Sequence, residues 1–400
     1  MFQGSANDPA INYSAGPLDN PVESLNQQLQ QGGVRLSFEG RSGYLRSALA
    51  ALKIPVDSQL LVFSPTSLQA SRISAANPRA LYVADRVILG WVRDGEIIEV
   101  ATHDAARGVV FYTLEQRPAD VPQFKRGFAC LGCHAGAETL GVPGLLMFST
   151  TPSGERSVGR SIMTDHRSPL DERWGGWLVT GRTGSAAHRG NRLAVLDGRP
   201  SRELSSADGL FDPDGYPSTL SDVASLLVFS HQTHMTNLLT RAGWEARAAD
   251  PTLHSSFAAA VSANPRIAAA MRAIAVEVVD YLLFVDEAPL GDGIQSSSGF
   301  AERFSSAGPR DSKGRSLHEL DLGRRLLKYP CSYMIYSPAF DALPPAIKEP
   351  IFERMWQVLS GEDKAPRYRA ALTFADRAAI VEILRDTKKD LPTTFQTLLR

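Results

Sequence analysis

The chain has 400 residues, 43% of them hydrophobic and 21% charged, with a formal net charge of -1. That is an ordinary globular composition, with enough apolar material for one large core or two moderate ones, and it excludes a disordered or fibrous chain. A net charge this near zero gives no general attraction to nucleic acid or to an anionic membrane. The most apolar long segment, residues 267–285, carries Arg272, Glu277 and Asp280, so no membrane span is expected.

Residues 1–22 mix Asn, Asp, Pro, Gly and Ser without periodicity and read as an extended arm, laid on the surface or partly disordered. The first six residues have neither a basic stretch nor an apolar one, so no export signal is visible in this sequence. Two short helices fit residues 22–52, separated by Gly32-Gly33. Runs at 59–64, 80–83, 87–92, 96–101 and 109–114 are rich in Val, Ile, Phe, Tyr and Trp and read as strands. Asp94-Gly95 and Arg107-Gly108 suit tight hairpins, which predicts an antiparallel meander acting as scaffold.

The stretch that declares chemistry follows directly: Phe128-Ala129-Cys130-Leu131-Gly132-Cys133-His134. Cys-x-x-Cys-His is the attachment pattern of c-type haem. Thiols at i and i+3 share one side of a helical turn, where each can add to one vinyl group of a porphyrin. His134 then brings a neutral imidazole under the ring as the proximal iron ligand. With three Cys and eight His in the chain, random occurrence of the pattern is about one in two thousand. A zinc site needs a second ligand pair, and the one other cysteine is Cys331. A thioredoxin-like redox pair needs a strand before it and a helix after it, whereas the flanks read as loop. One covalently attached haem c is therefore expected on Cys130, Cys133 and His134. Because haem c is assembled on exported apoprotein, a periplasmic or extracytoplasmic location is expected with it, and Cys331 should be buried, ligated or paired between chains.

Residues 128–220 read as a long, loop-rich segment that wraps the cofactor. Trp174 and Trp177 either stack near the porphyrin or fill core. Arg156, Arg160, Arg182 and Arg189 are candidates to pair with the haem propionates. Residues 221–247 form the strongest amphipathic helix, capped by Ser221, with Val223, Leu227, His231, His234 and Leu238 on its inward stripe. Further helices fit 266–286, 345–359 and 373–384, the last with a Thr373/Asp376 capping box. The predicted fold class is α+β: an antiparallel meander within 23–127, the wrapping segment 128–220, and a mainly helical part 221–400 forming one compact unit with the rest.

What sits opposite His134 separates electron transfer from catalysis. His231 is the preferred sixth ligand, because the helix stripe turns it inward and a buried imidazole needs a polar partner or a metal. His234, Met163 and His188 are weaker alternatives. Met147 and His166 are also within reach, and Cys331 as a thiolate is disfavoured by an apolar setting.

The stretches Asn77-Pro78-Arg79-Ala80-Leu81-Tyr82, Asp171-Glu172-Arg173-Trp174-Gly175-Gly176-Trp177, His231-Gln232-Thr233 and Asp341-Ala342-Leu343-Pro344 resemble an uncharacterised bacterial family of large single-haem cytochrome c-like proteins. The resemblance covers most of the chain. It implies haem c on Cys130, Cys133 and His134 and implies no catalytic residue. Outside the motif the chain does not resemble the small cytochromes with their downstream Met ligand. Single-electron transfer to a redox partner protein is the expected function. The alternative is a peroxidase-like haem enzyme or small-gas binder with an open distal site, in which His231 or His234 handles a proton.

Overall fold

The computed structural model describes residues 1–153, 157–193, 202–203, 211–249, 256–258 and 264–397. Its centre is an antiparallel sheet built as the alternation of the sequence dictates. Strands β1 (Leu60–Val62), β2 (Arg79–Val83), β3 (Val87–Trp91), β4 (Ile97–Asp104) and β5 (Gly108–Glu115) lie side by side in chain order. Two short strands close the edges: β6 (Lys125–Arg126) beside β5, and β9 (Trp177–Leu178) beside β1. Between them in sequence, β7 (Phe148–Ser153) and β8 (Ser157–Met163) pair only with each other.

Both faces of the sheet are covered, because side chains alternate across the pleat. Leu61, Ala80, Tyr82, Leu89, Trp91, Val100, Val110 and Tyr112 belong to a core shared with helices α1 (Pro21–Gln30) and α2 (Leu45–Ala51). Leu60, Val62, Leu81, Val83, Ile88, Val109 and Phe111 belong to a larger core shared with the helical half. The architecture is α+β, with the meander in the N-terminal part and mainly helices after residue 220.

Helix α4 (Val223–Ala249) is the long element of that half. Its cap is Asp222 rather than the expected Ser221. The Asp222 carboxylate accepts from Ala224 N–H at 2.7 Å, while Ser221 Oγ joins the sheet edge through Leu178 O and Leu61 N–H. Nearly every side of α4 is buried, polar Ser225, Ser230, Thr233 and Asn237 included. The helices Pro265–Leu282 and Pro345–Ser360 pack on each other, and Thr373 with Asp376 makes the expected capping box at the start of Phe374–Thr387. Among the described residues no helix is long and apolar enough to cross a membrane.

Two readings of loop are refined. The segment after the motif holds the β7–β8 hairpin and β9, whose Ser, Thr, Gly and Arg content hides any apolar alternation. The N-terminal arm is ordered: Phe2, Ile11 and Tyr13 are buried, and Tyr13 donates to Val109 O at 2.9 Å. Phe2 and Tyr13 meet the Trp244 ring of α4 edge-on, at 5.2 and 6.2 Å between centroids. Trp244→Ala is expected to cost about 3–5 kcal/mol, read as a lowered denaturant midpoint with an unchanged slope. A loss below about 1 kcal/mol would show that this ring does not anchor the arm.

Candidate functional site

The motif is delivered by the sheet edge. Gly127 N–H, just beyond β6, donates to Phe111 O of β5 at 2.8 Å, and the chain then turns into the one-turn helix α3 (Leu131–His134). Cys130 is half-buried and Cys133 exposed, and both open with His134 on one cavity of about 400 Å³. That is a volume typical of cofactor sites. Val62, Leu81, Leu146, Phe148 and Trp177 line it with apolar surface, and Ser64, Thr66, Ser67, Arg79 and Glu99 supply its polar wall.

His134 is oriented from behind. Its ring packs on Phe111 with centroids 4.8 Å apart, and Nδ1–H donates to Gly144 O at 2.9 Å. This tautomer leaves Nε2 with its lone pair free, the arrangement seen when a carbonyl orients a metal-bound histidine. Burial lowers the His134 pKa and keeps the imidazole neutral, although the bond to Gly144 acts in the opposite sense. The Gly144 carbonyl is itself held. Asn237 of α4 grips the next peptide, accepting from Leu145 N–H at 2.8 Å and donating to Leu145 O at 2.9 Å. A Cβ on residue 144 would lie 2.3 Å from Asn237 Oδ1, so the close approach requires glycine.

This donor set fits haem c. Two thiols and one neutral imidazole share an apolar cavity, and the buried Nε of Arg79 in its wall has no hydrogen-bond partner among the described residues. Among the described residues no group of three or more His, Cys, Asp or Glu is placed to hold a bare metal ion, whereas a porphyrin iron needs only one or two protein donors.

The other expected residues are distributed unequally. Trp177 lines the cavity and donates through Nε1 to Phe148 O at 2.7 Å; Trp174 is fully buried in the larger core. Met163 ends β8 directly across from Phe148, and facing residues of an antiparallel pair share a side, which puts it on the same face of the hairpin as Phe148, although it is not itself among the residues lining the cavity. Met147 points the other way, its Sδ accepting from Ser230 Oγ at 3.1 Å.

His231 is not among the cavity-lining residues. It is fully buried in a separate polar cluster, with Nδ1 2.8 Å from His166 Nδ1 and Nε2 2.7 Å from Ser332 Oγ. Its inward orientation is as expected, but its partners are protein groups. His234 sits beside it, 3.3 Å from Arg167 Nη2, which in turn pairs with Asp165. His188 meets the edge of Trp174 at 5.4 Å. Cys331 is wholly buried, and burial pushes its thiol up to about 12.

Of the propionate candidates, Arg182 and Arg189 do not line the cavity; Arg189 Nε donates to Asp171 O. Arg156 lies outside the described residues, and so does the side chain of Arg160. The cation in the cavity wall is Arg79, a strand residue that sequence reasoning passed over. The signal that could have found it is an Arg at the start of an apolar strand, on the face that alternates with the buried Ala80 and Tyr82. Compared with models of known protein families, with curated proteins and with solved structures, the chain matches none.

Asn237→Ala would leave both polar groups of the Leu145 peptide unpaired, at about 1–3 kcal/mol for each. Chemical denaturation should show that loss, and Asn237→Asp should not rescue it, because its second carboxylate oxygen would face the Leu145 carbonyl with no donor, leaving a buried charge without a partner. The buried histidines give a pH signature as well. Burial lowers His103, His234 and His318 to about 4 and His231 to about 3, against 6.5 for an exposed ring. Below pH 6.5 the unfolded chain therefore binds protons that the folded chain cannot. Stability should fall as pH drops from about 6.5 towards 4, by up to about 1.4 kcal/mol per pH unit for each such histidine. A flat profile of unfolding free energy across that window would contradict the burial of these rings.

Proposed function

We propose that this chain is an extracytoplasmic single-haem c-type protein that transfers electrons one at a time to and from a redox partner protein. The observation that carries the reading is the convergence of Cys130, Cys133 and His134 on one cavity of about 400 Å³, with His134 Nδ1 tied back to Gly144 O. Bound there, the haem would supply an iron that cycles between ferric and ferrous states. The protein's share is attachment through the two thiols, orientation of the imidazole by the Gly144–Asn237 support, and exclusion of water by the apolar walls. Cys133 is exposed and Leu68, on the cavity rim, is 56% exposed, which leaves an open side through which a partner can approach the cofactor.

For the sixth position the register of β7 and β8 favours Met163 over His231. A thioether there would stabilise the ferrous state and raise the reduction potential. The second reading, a peroxidase-like enzyme or gas binder, draws its support from the polar wall of Arg79 and Glu99 beside the attachment motif.

Purified holoprotein should keep its haem through denaturing extraction, and Cys130→Ser with Cys133→Ser should release it. The iron should be low-spin in both redox states. A high-spin ferric iron that takes up cyanide readily would sink the six-coordinate carrier in favour of the second reading. Met163→Leu should convert the ferric spectrum towards high spin while His231→Ala leaves it unchanged; the opposite pattern would return the ligand to His231.

A further inference from the structure

A second cavity, of about 250 Å³, lies where the turn between β2 and β3 meets the helical half, and it has no lining residue in common with the first. Asp85 and Arg86 of that turn form one wall, and Tyr333, Met334, Tyr336 and Pro338 form another. Its lip is made by residues 307–309, all of them exposed. Attachment of a haem on the far cavity gives this one no task.

His318 lines it and is only 6% exposed. The ring is fixed by aromatic neighbours, with the centroids of Phe304, Tyr333 and Tyr336 at 5.3, 5.0 and 6.4 Å. Its Nδ1 edge is pressed against Gly308, where a Cβ would stand 2.0 Å from Nδ1, and Nδ1 is buried without a partner. Nε2 is different: it has no partner among the described residues either, but it is not sealed from the cavity. An unpartnered ring nitrogen is less costly as a lone pair than as a stranded N–H, so the proton belongs on Nε2. Burial, aided by Arg310, lowers the His318 pKa to about 4, and at neutral pH the ring is therefore an uncharged donor.

The other groups narrow the kind of guest. Both tyrosine hydroxyls are engaged, Tyr333 with Gln232 Oε1 at 3.2 Å and Tyr336 with Thr387 Oγ1 at 2.6 Å, so these residues offer ring surface rather than polar atoms. Asp85 is exposed, and its carboxylate has no hydrogen-bond or ion-pair partner among the described residues. It stands near Tyr333, whose phenol is raised by burial first and by Asp85 second. Arg86 in the same wall offsets the Asp85 charge, which favours a neutral guest over an ion. An apolar cavity of about 150 Å³ already takes a benzene ring, so this larger one has room for a ring with a substituent. Aromatic walls suit a flat guest, and one donor together with one acceptor suits a hydroxyl, which accepts and donates at once.

We propose that this second cavity binds a small neutral aromatic alcohol, its ring against Tyr333 and Tyr336, its oxygen accepting from His318 Nε2–H and its O–H donating to the Asp85 carboxylate. The site is separate from the attachment motif, so the proposal does not rest on the haem reading.

The test titrates the purified chain with 4-fluorophenol, and in parallel with fluorobenzene, which has the same ring and no hydroxyl, following the fluorine NMR signal of each. Wild type should shift the 4-fluorophenol signal saturably and bind fluorobenzene at least about ten-fold more weakly. His318→Phe removes the donor while sacrificing no hydrogen bond of the fold, and it should weaken 4-fluorophenol by about ten-fold or more. Asp85→Ala, on an exposed turn, should weaken it similarly and still reports if the first variant fails to accumulate. The visible spectrum of haem-loaded chain should stay constant throughout. An unsaturable wild-type response, equal affinity for the two fluorinated rings, or variants that bind as wild type does would overturn the proposal. Displacement of 4-fluorophenol by tetramethylammonium would overturn it too, by showing a cation site, and a changed haem spectrum would do so by placing the alcohol at the iron.

Discussion

The hydrogen bond from His134 Nδ1–H to the Gly144 carbonyl is the constraint on which the site depends. It selects the tautomer, and so decides which ring nitrogen faces the cavity. The bond is only as good as the placement of a loop carbonyl, and that loop is clamped at the next residue by Asn237 of α4. Helix α4 is in turn fixed at its start, where Asp222 accepts from Ser296, Ser297 and Ser298, and where Ser221 bonds to Leu178 and Leu61. A chain of polar contacts thus runs from the sheet edge, along the buried helix, to the back of the imidazole. Through Asn237, helix α4 thus supports the loop whose carbonyl orients His134 beside Phe111 of the sheet.

The cavity floor follows from sheet register. Leu81, Gly90 and Glu99 face one another across β2, β3 and β4, on the face shared with Val62 and Phe111. A side chain at residue 90 would fill the middle of that face. Its absence makes a shallow trough in which Arg79 can lie flat and meet Glu99 two strands away. The same glycine that weakens a strand in propensity terms is therefore what admits a charge pair into an otherwise apolar wall.

The meander was legible because β-branched and aromatic residues alternate there, and each observed strand of the set falls within a few residues of its sequence reading. That Cys130, Cys133 and His134 come together was legible because the three residues lie within about one helical turn. Other features depend on contacts that no local pattern carries. The hairpin of β7 and β8 is polar and pairs only with itself. Trp177 joins the main sheet from more than a hundred residues beyond β1. For His231 the helix stripe correctly turned the ring inward, but the identity of its partner came from His166, in a stretch without periodicity, and from Ser332, far along the chain. A helical stripe says which side is buried; what it is buried against is settled by tertiary structure. Arg79 was missed for a related reason, since one charged residue at a strand start gives no hint that the strand beside it has a glycine in register.

The choice of sixth ligand can be put in energetic terms. To reach an iron held by His134, His231 would have to give up both of its hydrogen bonds, at 2.8 and 2.7 Å, and leave His166 and Ser332 behind as buried polar groups. Each such loss costs about 1–3 kcal/mol. The backbone that carries His231 belongs to a helix buried on nearly all sides, so the ring cannot be moved without disturbing the larger core. Met163 carries none of these penalties. It is half-buried at the end of a separate two-stranded hairpin, its unbranched side chain has three rotatable bonds, and a thioether would surrender no strong hydrogen bond on turning towards a metal. The cost of release thus counts against His231, which the sequence ranked first because the helix stripe turns its ring inward and a buried imidazole needs a polar partner or a metal; the folded chain supplies that partner in His166 and Ser332.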